Sequence, residues 1–80
     1  MEEQLQEKRF EFALSMLREG NRVSRSGWNG KGQFLELQRP DENSKMTLPY
    51  IYIHTVVGDL VPWIASQSDL LGEDWMEAEK

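Results

Sequence analysis

The sequence contains no cysteine among its 80 residues. This absence excludes disulfide bonds, thiol catalysis and cysteine-ligated zinc. Because secreted domains of this size usually depend on disulfides, the reducing cytosol is the expected compartment. A chain this short buries only about 60–65% of the surface that its unfolded form exposes, so we expect a single domain with a thin core.

Long apolar runs and an excess of basic residues are also missing. No run approaches the roughly 20 apolar residues that span a bilayer, and the acidic start at Glu2 and Glu3 is unlike a signal peptide, so no membrane association is expected. The formal net charge of −5 argues against binding to DNA or RNA polymers. The charge is uneven, however, because residues 20–35 carry Arg22, Arg25 and Lys31 and no acidic side chain. A small anion could bind there.

The spacing of apolar residues predicts an amphipathic helix over residues 5–19. Phe10, Ala13, Leu14 and Leu17 recur at i, i+3, i+4 and i+7 and form one apolar stripe. Gly20 is a stop signal at the carboxyl end of this helix.

The rest of the chain is typical of a small sheet. Strands are predicted over residues 22–25, 33–38, 50–57, 60–64 and 73–77, and a surface loop over residues 39–49. Gly58 and Asp59 predict a two-residue hairpin turn, and Pro62 indicates a strand edge. Ser66 and Asp69 have the spacing of a capping box and open a short helical turn. The predicted fold class is therefore α+β, with an N-terminal amphipathic helix packed on a small antiparallel sheet and a short helical turn before the last strand.

Both faces of the strand predicted over residues 50–57 are largely apolar. Tyr50, Tyr52 and His54 point to one side, and Ile51 and Ile53 point to the other. A single helix can cover only one face. We expect the other face to meet a second copy of the chain, a ligand, or both.

The first candidate binding motif spans residues 25–32 and reads RSGWNGKG. Glycines such as Gly30 let backbone N–H groups approach a phosphate, and Lys31 adds a point charge. Trp28 offers a flat face to a purine base. The spacing matches neither a Walker A loop nor a dinucleotide fingerprint. The structural alternative is a tight connection in which Trp28 belongs to the core.

The second candidate motif spans residues 61–69. Trp63 lies beside the predicted start of a short helix at Ser66, and free N–H groups at such a start favour anions. The alternative is a capped turn next to a core tryptophan.

Enzyme chemistry has little support in this sequence. His54 is the sole histidine, lies in mid-strand and has no cysteine with which to share a metal. No nucleophile–base pairing is evident. We therefore expect a binding protein with no catalytic residues, no metal site and no cofactor.

Taken together, the RSGWNGKG motif at residues 25–32 and the sequence PWIASQSDLLGEDW at residues 62–75 resemble the second type of Thoeris anti-defence protein. This is a family of small bacteriophage proteins that was first catalogued as a domain of unknown function. The preceding helix, with Phe12, Ala13, Leu14 and Leu17 before Gly20, is similar to the opening of the family. The resemblance extends over residues 10–75.

The resemblance implies a function that composition alone does not. Family members sequester cyclic ADP-ribose-type signals made by bacterial TIR-domain enzymes, without cleaving them, and some also bind cyclic dinucleotides. They are homotetramers with ligand pockets between subunits. The expected location is then the cytoplasm of the infected bacterial host.

Each site residue has an expected role toward such a nucleotide. Trp28 and Trp63 would face the base, and Arg25, Lys31, the backbone at Gly30 and the turn at Ser66 would meet phosphates. Asn29, Gln67 and Asp69 would meet ribose hydroxyls. The sequence leaves open which of these residues touch ligand and which cyclic isomer is preferred. It also leaves open a protein-binding module of the same fold and, third, an enzyme such as a nucleotide phosphodiesterase.

Overall fold

The computed structural model describes residues 9–28 and 32–78. Two helices and five strands lie in these residues. They are α1 (Phe10–Arg18), β1 (Val23–Arg25), β2 (Phe34–Gln38), β3 (Tyr50–His54), β4 (Leu60–Pro62), α2 (Gln67–Leu71) and β5 (Trp75–Glu77). No helix in the described ranges has the length and apolar composition needed to cross a membrane.

The strands form one antiparallel sheet in the order β4-β3-β2-β1-β5. Helix α1 packs against β1, β2 and β5, and α2 lies just before the last strand. The predicted α+β architecture is therefore confirmed. Pro62 lies in β4, at one edge of the sheet. A proline has no backbone N–H to donate, and on the outer side of an edge strand there is no neighbouring strand to receive one.

Helix α1 is shorter than its predicted span. It begins at Phe10, with Arg9 as the N-cap, and residues 5–8 of the prediction lie outside the described residues. At the other end Glu19 is the C-cap, so the helix stops one residue before the prediction. The backbone N–H of Asn21 donates to the carbonyl oxygen of Met16 at 3.0 Å and closes the last turn.

The predicted hairpin turn is wrong in its position and length. Strand β3 ends at His54, not at Val57, and the loop consists of Val56, Val57 and Gly58. The N–H groups of Thr55 and Gly58 donate to the carbonyl oxygens of Asp59 and Thr55, each at 2.9 Å. Gly58 has a φ of +93°, which suits the last position of a three-residue hairpin loop and favours this loop over a two-residue turn at Gly58 and Asp59.

The other strands are found close to their predicted places but are shorter. The largest differences are two residues each, in β4, which ends at Pro62 instead of residue 64, and in β5, which begins at Trp75 instead of residue 73. The backbone of Trp63 still donates to Ile51 at 3.0 Å, so the chain follows β3 one residue further before it turns away. Residues 39–49 form a loop, as predicted.

The core between α1 and the sheet is thin. Its fully buried side chains are Ala13, Leu17, Val23, Leu35 and Trp75. Ile51 and Ile53 of β3 pack against it, as do the rings of Trp28 and Trp63. Tyr52 lies on the opposite face of β3, where its partner across the ladder is Glu36. The sheet thus has one face covered by the helices and one face outside this core.

Candidate functional site

An aromatic cluster brings together the two predicted ligand-binding tryptophans. Trp75 is 1% exposed and lies at its centre. The rings of Phe10, Trp28 and Trp63 surround it at centroid distances of 5.3, 5.6 and 6.0 Å, all edge to face. This geometry is the one that aromatic quadrupoles favour. The fold thus gathers Trp28 and Trp63 around one ring, although they lie 35 positions apart in the chain.

Packing in this cluster leaves Trp28 and Trp63 partly buried. Each tryptophan is therefore partly a core residue, as the structural alternative expects. Trp75 is held by its indole N–H, which donates to the carbonyl oxygen of Asp69 at 2.9 Å. A buried indole usually finds such a partner.

Arg25 lies in β1 and is engaged by two carboxylates. Its Nε donates to Asp74 at 2.7 Å, and its Nη1 donates to Asp69 at 2.9 Å. The pKa of Arg25 is raised, first by the hydrogen bond to Asp74 and then by the bond to Asp69. Two of the predicted ligand-binding residues, Arg25 and Asp69, are therefore bonded to each other. Any phosphate contact by Arg25 stays a prediction.

The pKa values of the two carboxylates, Asp69 and Asp74, are lowered. Burial alone would raise the pKa of Asp69, but hydrogen bonds from the Ser66 backbone and from Arg25 hold it below its ordinary value. Burial also opposes the shift at Asp74, where the Arg25 side chain and the Gly27 N–H lower the pKa. Both aspartates are thus ionised and bound at neutral pH.

The predicted capping box at α2 is confirmed. The N–H of Asp69 donates to Ser66 Oγ at 3.1 Å, and the N–H of Ser66 donates to Asp69 Oδ2 at 3.1 Å. With Oδ1 on Arg25, Asp69 uses both of its oxygens. Gln67 is exposed at the first position of α2.

The glycine-rich motif is only partly visible. The predicted site residues Asn29, Gly30 and Lys31 lie outside the described residues. Just before them, the N–H of Gly27 donates to Asp74 Oδ2 at 3.0 Å. At the far side of the same cluster, a Cβ on Gly72 would approach Nη2 of Arg25 to 2.9 Å, so the guanidinium packs directly on the backbone there.

An open cleft with a volume of about 480 Å³ lies on one side of the aromatic cluster. It is bounded by α1, the end of β2, the start of β3 and the chain after β4. Its lining residues are Leu14, Arg18, Leu37, Arg39, Pro49, Tyr50, Ile51 and Trp63. Of the predicted site residues that the structure describes, Trp63 alone is among them.

Arg18 and Arg39 were not predicted from the sequence as site residues. Arg18 is the last residue of α1, and Arg39 opens the loop after β2. Nη2 of Arg39 donates to the carbonyl oxygen of Arg18 at 2.6 Å. These residues lie 21 positions apart, and no local motif signals that they meet.

A family comparison matches nearly the whole of this structure. The model of the Thoeris anti-defense 2-like domain matches residues 9–78. A protein of Bacillus phage SP01 named "Thoeris anti-defense 2" is 37% identical over an alignment that covers 82% of this chain and 89% of that protein. The chain belongs to the Thoeris anti-defense 2-like family. The resemblance inferred from the two sequence motifs is thereby confirmed.

The second face of the sheet gives this Thoeris anti-defense 2-like domain a separate polar network. Glu36 accepts a hydrogen bond from Arg22 at 3.0 Å and another from the hydroxyl of Tyr52. Burial, with the bond to Glu36, raises the pKa of Tyr52 to about 12. The ring of His54 stacks on Phe34 at 4.6 Å. This face is thus ordered by its own contacts, apart from the cleft and the tryptophan cluster.

Proposed function

We propose that this chain is a bacteriophage anti-defence protein that binds and sequesters a cyclic ADP-ribose-derived signalling nucleotide. It holds the signal without cleaving it and so blocks Thoeris-type bacterial immunity in the cytoplasm of the infected host. The observation that carries the proposal is membership of the Thoeris anti-defense 2-like family, through a match over residues 9–78. The named phage relative, at 37% identity, supports the same role.

The chemistry of the described residues supports a nucleotide ligand. A base needs an aromatic surface, and two partly buried tryptophans, Trp28 and Trp63, lie in one cluster. Phosphates need cationic donors, which Arg18 and Arg39 supply in the cleft beside Trp63. The cleft of about 480 Å³ has the size of small-molecule sites, which are about 300–1,000 Å³.

We further propose that the working form is a homotetramer with ligand pockets between subunits. The thin core and the apolar side chains left exposed around β4 favour self-association. Val57 is 82% exposed and Ile64 is 89% exposed, with Leu60 and Val61 between them in the chain. Association would cover such side chains and stabilise a small domain.

The test is a capture and release experiment. Purified protein in excess is incubated with each cyclic ADP-ribose isomer and, separately, with cyclic dinucleotides. Free signal is measured before and after the protein is denatured by heat. The proposal expects free signal to disappear and then to return intact in nearly stoichiometric amount.

Other outcomes would assign the protein to another class. Recovery of a linear ADP-ribose or another cleavage product would identify an enzyme. Binding to none of the nucleotides would favour a protein-binding module of the same fold. Capture of cyclic dinucleotides together with an ADP-ribose isomer would extend the ligand range without overturning sequestration.

A further inference from the structure

We infer that Arg18 and Arg39 form the phosphate-binding part of the cleft beside Trp63, which is one chain's share of the proposed pocket between subunits, so that this cleft takes the pyrophosphate of the sequestered nucleotide. The inference rests on the proposed function, because it assigns a part of the proposed ligand to a part of the chain. It adds two residues that lie outside both sequence motifs.

The position of Arg39 is set by the fold. Its Nη2 donates to the last carbonyl of helix α1, that of Arg18, at 2.6 Å. A guanidinium has five N–H donors in a rigid fork, so this bond leaves donors that can meet phosphate oxygens. Anchoring at the helix end also reduces the side-chain freedom that a phosphate contact would otherwise cost.

Arg18 places a second positive charge at the same end of the cleft. Both arginines line it, and both are exposed. The carboxyl end of a helix carries a partial negative charge that would repel a phosphate. The bond from Arg39 to the Arg18 carbonyl offsets that charge where the anion would lie. A pyrophosphate, with two phosphoryl groups in a row, suits two neighbouring guanidinium groups.

The lining of the cleft also includes aromatic side chains. Trp63 is fixed by its backbone N–H, which donates to Ile51 at 3.0 Å, and by its ring contacts with Phe10 and Trp75. Tyr50, the first residue of β3, also lines this cleft. One cleft therefore joins an aromatic surface for a base to a cationic end for phosphates.

Two other cavities in the described residues fit this ligand less well. A cleft of about 390 Å³ between α1 and α2 includes Arg9 but also Glu11 and Glu73, which would repel an anion. A cavity beside Tyr52 and Pro62 measures about 100 Å³, which is too small for a nucleotide. Among the described residues, the lining of the cleft with Arg18 and Arg39 includes no acidic side chain, although the whole chain carries a net charge of −5.

The experiment compares Arg18→Gln, Arg39→Gln and the double variant with the matched control Arg9→Gln. Arg9 is also an exposed arginine, but it lies at the other end of α1 and lines the other cleft. Affinity for the captured cyclic ADP-ribose isomer is measured by calorimetry. Each single glutamine variant is expected to bind about 10- to 150-fold more weakly, since a charged hydrogen bond is at stake. Arg9→Gln is expected to bind like the wild type.

A double lysine variant separates charge from packing. Lysines keep two positive charges but lose the guanidinium fork, so this variant should keep more affinity than the double glutamine variant. Oligomer mass and thermal unfolding are recorded for every variant. Equal losses in the lysine and glutamine double variants would assign a packing role to these positions and overturn the inference.

The two proposals fail in different ways. Wild-type affinity in a folded double glutamine variant would overturn the phosphate assignment and leave sequestration intact. A wild-type protein that binds no cyclic ADP-ribose isomer would overturn the proposed function, and this inference with it.

Discussion

Nε of Arg25 donates a 2.7 Å hydrogen bond to Oδ1 of Asp74, a residue 49 positions further along the chain. The same guanidinium reaches Asp69 through Nη1 at 2.9 Å. These bonds tie β1 to α2 and to the segment that enters β5. Since the RSGWNGKG motif begins at Arg25 and the sequence PWIASQSDLLGEDW at residues 62–75 contains both aspartates, this contact joins the two stretches in space.

Removal of Arg25 is expected to destabilise the fold. Its side chain is 19% exposed, and its loss leaves two partly buried carboxylates without their cation. Arg25→Ala should lower the free energy of unfolding by about 1–3 kcal/mol, measured by urea denaturation. The exposed control Arg9→Ala should change it by no more than about 0.5 kcal/mol. A double-mutant cycle with Asp74→Ala should return a coupling of about 0.5–3 kcal/mol, and additive effects would contradict the structural role of the pair.

The carboxylates of this network predict how the free energy of unfolding changes at acidic pH. The pKa values of Asp69 and Asp74 lie below their ordinary value of 3.8 in the folded state. Such groups contribute stability that is fully present above the unfolded pKa and is lost as pH falls through the folded pKa. The contribution of these two groups to the free energy of unfolding should therefore be nearly constant above about pH 5 and should decrease below about pH 4.

The test of this pH dependence is urea denaturation from pH 3 to pH 7 in the wild type and in Asp74→Asn. The variant should be less stable at neutral pH and should lose less stability on acidification. Glu42→Gln, an exposed residue of the loop at 39–49, serves as the control. An acid slope unchanged by Asp74→Asn would show that other groups dominate the acid transition.

The three tryptophans are expected to have different roles, one in stability and two in nucleotide binding. Trp75 is buried at the centre of the cluster, so Trp75→Ala should cost about 3–5 kcal/mol of stability. Trp28→Ala and Trp63→Ala should weaken nucleotide binding about 5- to 150-fold, because stacking on an aromatic ring contributes about 1–3 kcal/mol. Their fold should survive, as judged by circular dichroism and oligomer size. Unfolding of one variant, with normal binding by the other, would assign the first ring to the core.

The proposed homotetramer predicts a solution mass of about four chains of 9.4 kDa each. The physical reason is the exposed apolar surface around β4, together with a sheet face that neither of the described helices covers. Light scattering after size exclusion measures this mass directly. A monomer at micromolar concentration would contradict the prediction.

The sequence by itself determined the fold class, the main elements and the family. The apolar stripe through Ala13 and Leu17, the β-branched and aromatic run at β3 and the capping box from Ser66 to Asp69 are all local patterns, and each was found. Local patterns suffice because backbone propensity, capping and side-chain alternation act over a few residues.

Tertiary structure alone decided which of these residues meet. Arg25 looked like a free cation in the sequence, but the fold places it between Asp69 and Asp74. Arg39 looked like a surface loop residue, but the fold carries it to the end of α1 and into a cleft with Trp63. Contacts of this kind depend on how β1, β2 and the helices are packed. Long-range packing joins residues tens of positions apart, which no local spacing rule encodes.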